Sequence, residues 1–251
     1  MDTTTNSLPV VSIIRSAASG LWGERKALLW LLVLAGLANG FLDWVSFASS
    51  ENSTSNGFLA GTAKVLVYTV LAVRVHRIVL AAENTVLGLV RWTGRETRFL
   101  GWLAVIYCYL VLVFAAPAII LGAVGAFELV PQGGWWWMAL VMFFASLPAA
   151  YLFVRLSVLL PATAIDQRRT IAWAWALTDR HGWRLVILLW LVPMSLSIIV
   201  PEFDISSLGL LGWMAADLIF ATLTAFEIAI LSVVFRSLGG FYKEQESLIA
   251  A

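Results

Sequence analysis

The chain has 251 residues, 61% of them apolar and only 12% charged, with a net charge of +1. Soluble domains run at roughly 45–50% apolar and about 25% charged, so this excess exceeds what one water-soluble core would bury and the lipid bilayer is the expected solvent. The single cysteine, Cys108, excludes an internal disulfide framework and a cysteine metal site, and no nucleic-acid partner is expected.

Residues 1–26 open with Met-Asp-Thr-Thr-Thr-Asn, which lacks the basic start of a signal peptide. An amphipathic stretch follows: Val10, Ile13, Ile14, Ala17 and Leu21 fall on one helical face, with Ser12, Ser16 and Ser19 opposite. Apolar runs then predict spanning helices at 27–47, 58–73, 99–127, 135–160, 185–200 and 208–235. A spanning helix needs about 20 residues. The third, fourth and sixth exceed this and should tilt. The second and fifth are short, and depend on Arg74, Arg77 and Arg184 snorkelling to the headgroups. Pro117, Pro148 and Pro193 fall inside helices and should kink them. The predicted organisation is a tail with an interfacial helix (1–26), a transmembrane domain (27–236) and a C-terminal cytoplasmic tail (237–251).

Charge assigns the sides. The connections 46–57, 127–134 and 201–207 hold no Lys or Arg, but carry Glu51, Glu128, Glu202 and Asp204. Every other connection and both termini are basic, and Lys64 is the one cation out of place. Basic residues resist translocation while acids matter little, which puts both termini in the cytoplasm. Tryptophans mark the same two levels: Trp44, Trp135, Trp136, Trp137 and Trp213 outside, and Trp22, Trp92, Trp173, Trp175 and Trp183 inside.

A pattern recurs before each odd-numbered span. Gly23, Gly94 and Gly182 each stand beside or near an arginine and seven or eight residues ahead of Trp30, Trp102 and Trp190. The expected fold is therefore an all-α integral membrane bundle of six transmembrane helices in three hairpins. Each hairpin would be entered through an interfacial elbow helix on the cytoplasmic side. Composition alone would also place Arg and Trp at every inner helix start.

Charges at membrane depth are the first place to look for function. They are Lys64, Arg155, Asp217 and Glu227, with Asp43 nearer the outer rim. Asp217, Thr224 and Glu227 share one helical face. Depth pairs Lys64 with Asp217 in the outer half, and Arg155 with Glu227 in the inner half. Such pairs serve as helix contacts or as a polar relay, and with so few charges the structural role carries more weight.

His76 and His181 fall at the cytoplasmic interface with Arg74, Arg77 and Arg184. Two imidazoles at one level are a haem-ligand pattern, but histidines among interfacial arginines are far commoner without one. No HExxH, Walker loop, nucleophile elbow or CxxC occurs. No cofactor, metal site or enzymatic activity is expected.

The stretch from Arg155 through Pro161 to Ile165, followed by Ala176-Leu177-Thr178 and Gly182-Trp183-Arg184, resembles the membrane-domain-like family associated with glycerophosphoryl diester phosphodiesterases. Arg74-Val75-His76-Arg77 with Glu83 is similar to a loop of related bacterial proteins. The resemblance implies a multi-pass protein of a bacterial cytoplasmic (inner) membrane. It implies no phosphodiesterase activity, because the catalytic barrel alone needs about 250 residues. The expected function is a non-enzymatic membrane subunit, scaffold or assembly factor, whose partners are the lipid bilayer and other membrane subunits or a second copy. The alternative is a small permease, or the membrane subunit of a transporter, with a polar path near Asp217 and Glu227.

Overall fold

The computed structural model of the chain describes residues 8–48, 54–81, 92–123, 135–199 and 208–240. Among these, all regular structure is helical: α1 (Val10–Gly23), α2 (Arg25–Ala48), α3 (Thr54–Ala81), α4 (Gly94–Ala123), α5 (Trp135–Leu156), α6 (Leu159–Ala164), α7 (Ile171–Leu177), α8 (Gly182–Val186), a π-turn (Ile187–Leu191), α9 (Val192–Ile199) and α10 (Gly209–Ser237). Five stretches among the described residues are long and apolar enough to cross a bilayer: Arg25–Ala48, Gly57–Leu80, Gly94–Val113, Ser146–Ala164 and Gly209–Ser237. The described residues are thus all-α, with the helices of a multi-pass membrane protein.

Three departures from the sequence reading have local causes. The second helix runs on to Ala81, past the arginines expected to end it. Val73 and Leu80 are buried on one side and Val75 and Ile78 on the other, so the helix is packed on two faces beyond Arg74. The fourth helix stops at Leu156, before a turn at Ser157 and Val158 and the short α6. Pro161 accounts for this break: it has no N–H for the carbonyl of Ser157, and its ring crowds that carbonyl. Ser157 O accepts from Leu160 N at 3.0 Å instead.

The fifth span is not one regular helix. Gly182–Ser195 is apolar but shorter than the spanning helices, and it passes through the π-turn immediately before Pro193, where the missing N–H already interrupts the ladder. Of the expected elbows, the first is α1, with Ile13 and Ala17 buried, and the third contains α7. The second was expected over Val79, Ala82, Val86 and Leu89; Val79 belongs to α3, and the other three fall outside the described residues.

The bundle closes between its first and last long helices. On α2, Gly36 and Gly40 form a small-xxx-small pair of the kind that lets backbones approach. A Cβ at Gly36 would lie 2.8 Å from Leu218 Cα, and one at Gly40 would lie 2.5 Å from Met214 Cα. Beside this seam Leu28, Leu31, Leu32 and Ala35 of α2 join Leu71 and Val75 of α3 and Ala221 and Ala225 of α10 in one core. A second core ties α1 through Ile13 and Ala17 to Ile230 and Val234 of α10 and Leu185 and Leu188 of the broken fifth segment. A third, around Phe99, Ile106, Leu159 and Phe235, holds α4 and α6 against the C-terminal end of α10. That end is closed at Gly239, whose φ of +77° lets Gly240 N donate to Phe235 O at 3.1 Å.

Candidate functional site

Helical spacing sets out two facing files of polar side chains. Lys64, Tyr68 and His76 are separated by one and two turns along α3, while Asp217, Thr224 and Glu227 lie along α10. Where the two files begin, Lys64 Nζ donates to Asp43 Oδ2 of α2 and lies 3.8 Å from Asp217 Oδ1. The contact expected between Lys64 and Asp217 is made, but Asp43 is the nearer partner. Asp217 is buried and both other side chains are partly exposed. Asn39, one turn from Asp43, is fully buried and lies beside Tyr68.

Below this triad the helices part around a cavity of 630 Å³. Its polar lining is Tyr68, His76, Tyr107, Ser157, Thr224 and Glu227, and its walls include Phe99, Phe153, Leu189 and Pro193. Tyr68 lies within electrostatic reach of Asp217 and Asp43 and so connects the triad to the chamber. Tyr107, also in the lining, is 59% exposed.

Arg155 does not meet Glu227. It sits in the last turn of α5, just before the Pro161 break, and faces the elbow formed by α7 and α8. Its Nε donates to Thr178 Oγ1 at 2.8 Å, its Nη2 to Trp175 O at 2.6 Å and its Nη1 to Tyr151 OH at 3.2 Å. The guanidinium carbon stands 3.7 Å from the Trp175 ring centroid. The last carbonyls of a helix attract a cation, so the C-terminus of α7 captures this one. Gly182 completes the nest, since a Cβ there would lie 2.3 Å from the Tyr151 ring.

At the level expected to be cytoplasmic, His76 is 1% exposed and is not the interfacial residue expected. Its Nδ1 is 2.7 Å from Ser232 Oγ, and its ring centroid is 5.9 Å from that of Phe99. The continuation of α3 alongside α10 buries it. Arg74 Nη2 lies 3.7 Å from Glu96 Oε1. Glu96 also accepts from Thr93 N at 2.8 Å, closing a capping box that starts α4.

Arg77 belongs to a cluster that sequence reading missed. Asp166 accepts from Arg95 Nε at 2.9 Å and Arg98 Nη2 at 2.7 Å, with Arg77 Nη1 at 3.8 Å. The hydrogen bond from Arg95, then the charges of Arg95, Arg98 and Arg77, hold the Asp166 carboxyl below its ordinary value despite partial burial. His181 and Arg184 stand at the start of α8, with Arg184 exposed. The His181 Nδ1 is buried without a hydrogen-bond partner among the described residues. Partial burial, then the Arg184 charge, lowers its pKa against the opposing pull of Asp179.

The fold and its chamber define a class, that of helical multi-pass membrane proteins with an internal cavity. No protein family, characterised protein or solved structure matches the chain. The resemblance drawn from its motifs therefore rests on those motifs alone.

Proposed function

We propose that this protein is a small permease, or the membrane subunit of a transporter, which holds a small molecule within the bilayer. The cavity carries this reading. A chamber of 630 Å³ falls within the range of about 300–1,000 Å³ typical of small-molecule sites, which are mostly apolar with a few placed polar groups. Glu227 supplies such a group, and the polar file from the Lys64 triad through Tyr68 leads to it. Broken helices beside binding sites are common in transporters, and here the π-turn and Pro193 lie against the chamber through Leu189 and Pro193.

The same reading places six crossings in a bacterial cytoplasmic membrane, with both termini inside, and counts the broken segment from Gly182 as the fifth crossing. It ranks above the scaffold role expected from the short loops and the lack of a catalytic constellation, because Glu227 faces a cavity and has no ion-pair partner among the described residues. Purified protein screened against amphiphiles of different charge should gain thermal stability from one class. Ala104→Phe, which fills the chamber from its wall, should abolish that gain. If no class stabilises the protein and it purifies in a stable complex with another membrane subunit, the scaffold role replaces this one.

A further inference from the structure

We infer that the chamber takes a lipophilic cation, an apolar body bearing a quaternary or tertiary onium charge, whose charge is met by Glu227. This rests on the chamber reading above and deepens it by naming the ligand class. The first ground is charge. No Lys or Arg lines the cavity among the described residues. The two intramembrane cations that sequence depth brought near are committed elsewhere: Lys64 lies between Asp43 and Asp217, and Arg155 is held by Thr178, Trp175 and Tyr151. His76 turns its Nδ1 to Ser232. A carboxylate without a partner in a low-dielectric site is costly, and a ligand that brings its own cation offsets that cost.

The second ground is the wall. Tyr68, Phe99, Tyr107 and Phe153 surround the space with aromatic rings, and ring faces attract an onium charge that has lost its water. An anion would meet both the carboxylate and these faces with the wrong sign. The third ground is access. Tyr107 lines the chamber and is itself exposed, as is Val111 one turn along the same helix face. That face lies where lipid chains would be, so a molecule dissolved in the bilayer reaches the site from the side.

Tetraphenylphosphonium and tetraphenylborate provide the test, since they share shape and apolar surface and differ in the sign of charge. The full-length protein in detergent is titrated with each, following tryptophan fluorescence and melting temperature. Tetraphenylphosphonium should bind at least about tenfold more tightly than tetraphenylborate. Glu227→Gln should remove that preference, while Glu227→Asp keeps part of it. The ligand-free melting temperatures of the variants report folding separately. Equal affinity for the two ions, or an unchanged preference in Glu227→Gln, overturns the inference. If both ions bind alike and both are lost in Ala104→Phe, the chamber stands and only the choice of a cation fails. If neither binds, the inference fails, and the chamber reading then depends on the amphiphile screen alone.

Discussion

Replacing Gly40 by alanine should weaken the protein although it adds a single methyl group to a helix. The new Cβ would lie 2.5 Å from Met214 Cα, 2.7 Å from Met214 N and 2.9 Å from the Trp213 carbonyl carbon. Carbon atoms rest at about 3.5–4.0 Å, so α2 and α10 would have to separate by about 1 Å. All three neighbours are backbone, and no side-chain rotation relieves them. Overpacking of this kind costs about 1–3 kcal/mol, while alanine's helix preference over glycine returns up to about 1 kcal/mol. With a rigid obstacle the upper half of the range applies, leaving a net loss of about 1–2 kcal/mol.

Gly101→Ala on α4 is the control, because nothing lies within 4 Å of its Cβ position. It should be neutral, or more stable by up to about 1 kcal/mol. Unfolding of both variants in mixed micelles, followed by steric trapping, measures the difference. If Gly40→Ala is as stable as Gly101→Ala, then α2 and α10 do not meet through their backbones and the closure of the bundle described here is wrong.

Other substitutions probe the buried charges. Lys64→Met leaves Asp43 and Asp217 facing each other; removing one partner of a buried pair costs about 3–5 kcal/mol, and partial exposure of Lys64 favours the lower end. Adding Asp217→Asn should recover part of the loss, and a double variant no better than the single one in the same unfolding assay refutes the pairing. Arg155→Lys keeps the charge but loses the fork and the Trp175 stack, so a loss of about 2–4 kcal/mol is expected; lysine serving equally well in that assay would contradict the nest.

For pH, His181 binds its proton less readily folded than unfolded, so stability should fall as pH drops below about 6.5 through the folded value. His181→Gln should flatten that slope, and an unchanged slope in thermal melts assigns it elsewhere. The lowered pKa of Asp166 has the matching sign for a carboxylate: its stabilisation is present above about pH 4 and lost as pH falls through the folded value. Asp166→Asn should thus be weaker than the parent at pH 7 and converge with it in strong acid, as followed by melting temperature.

Much of this architecture was legible because the bilayer imposes length and polarity on each crossing. Depth along a helix was readable too, which is why Lys64 and Asp217 were matched. Azimuth was not. Arg155 and Glu227 share a depth, but one turns to the elbow and the other to the cavity, and only packing decides between those directions. The Gly36–Gly40 spacing and the Thr93–Glu96 box were in the sequence as recognisable motifs and went unread. Pro161 shows a different limit: it directly follows the predicted span 135–160, yet the helix already ends at Leu156, one turn before it. The Asp166 cluster brings residues of three separate segments together around a backbone with φ of +64°, which no local pattern announces.

The Lys64 triad also bears on how the protein is made. Asp43 and Lys64 are 21 residues apart, within the first hairpin, whereas Asp217 belongs to the last long helix. As the chain leaves the ribosome, that hairpin can enter the bilayer with its lysine already neutralised and needs no distant helix to shelter the charge. The glycine groove of α2, by contrast, stays unfilled until α10 arrives to occupy it. A chain stalled before α10 would therefore be tolerated by the membrane and yet present an open, backbone-lined groove, a mark by which a protease that surveys unassembled helices would tell it from the finished protein.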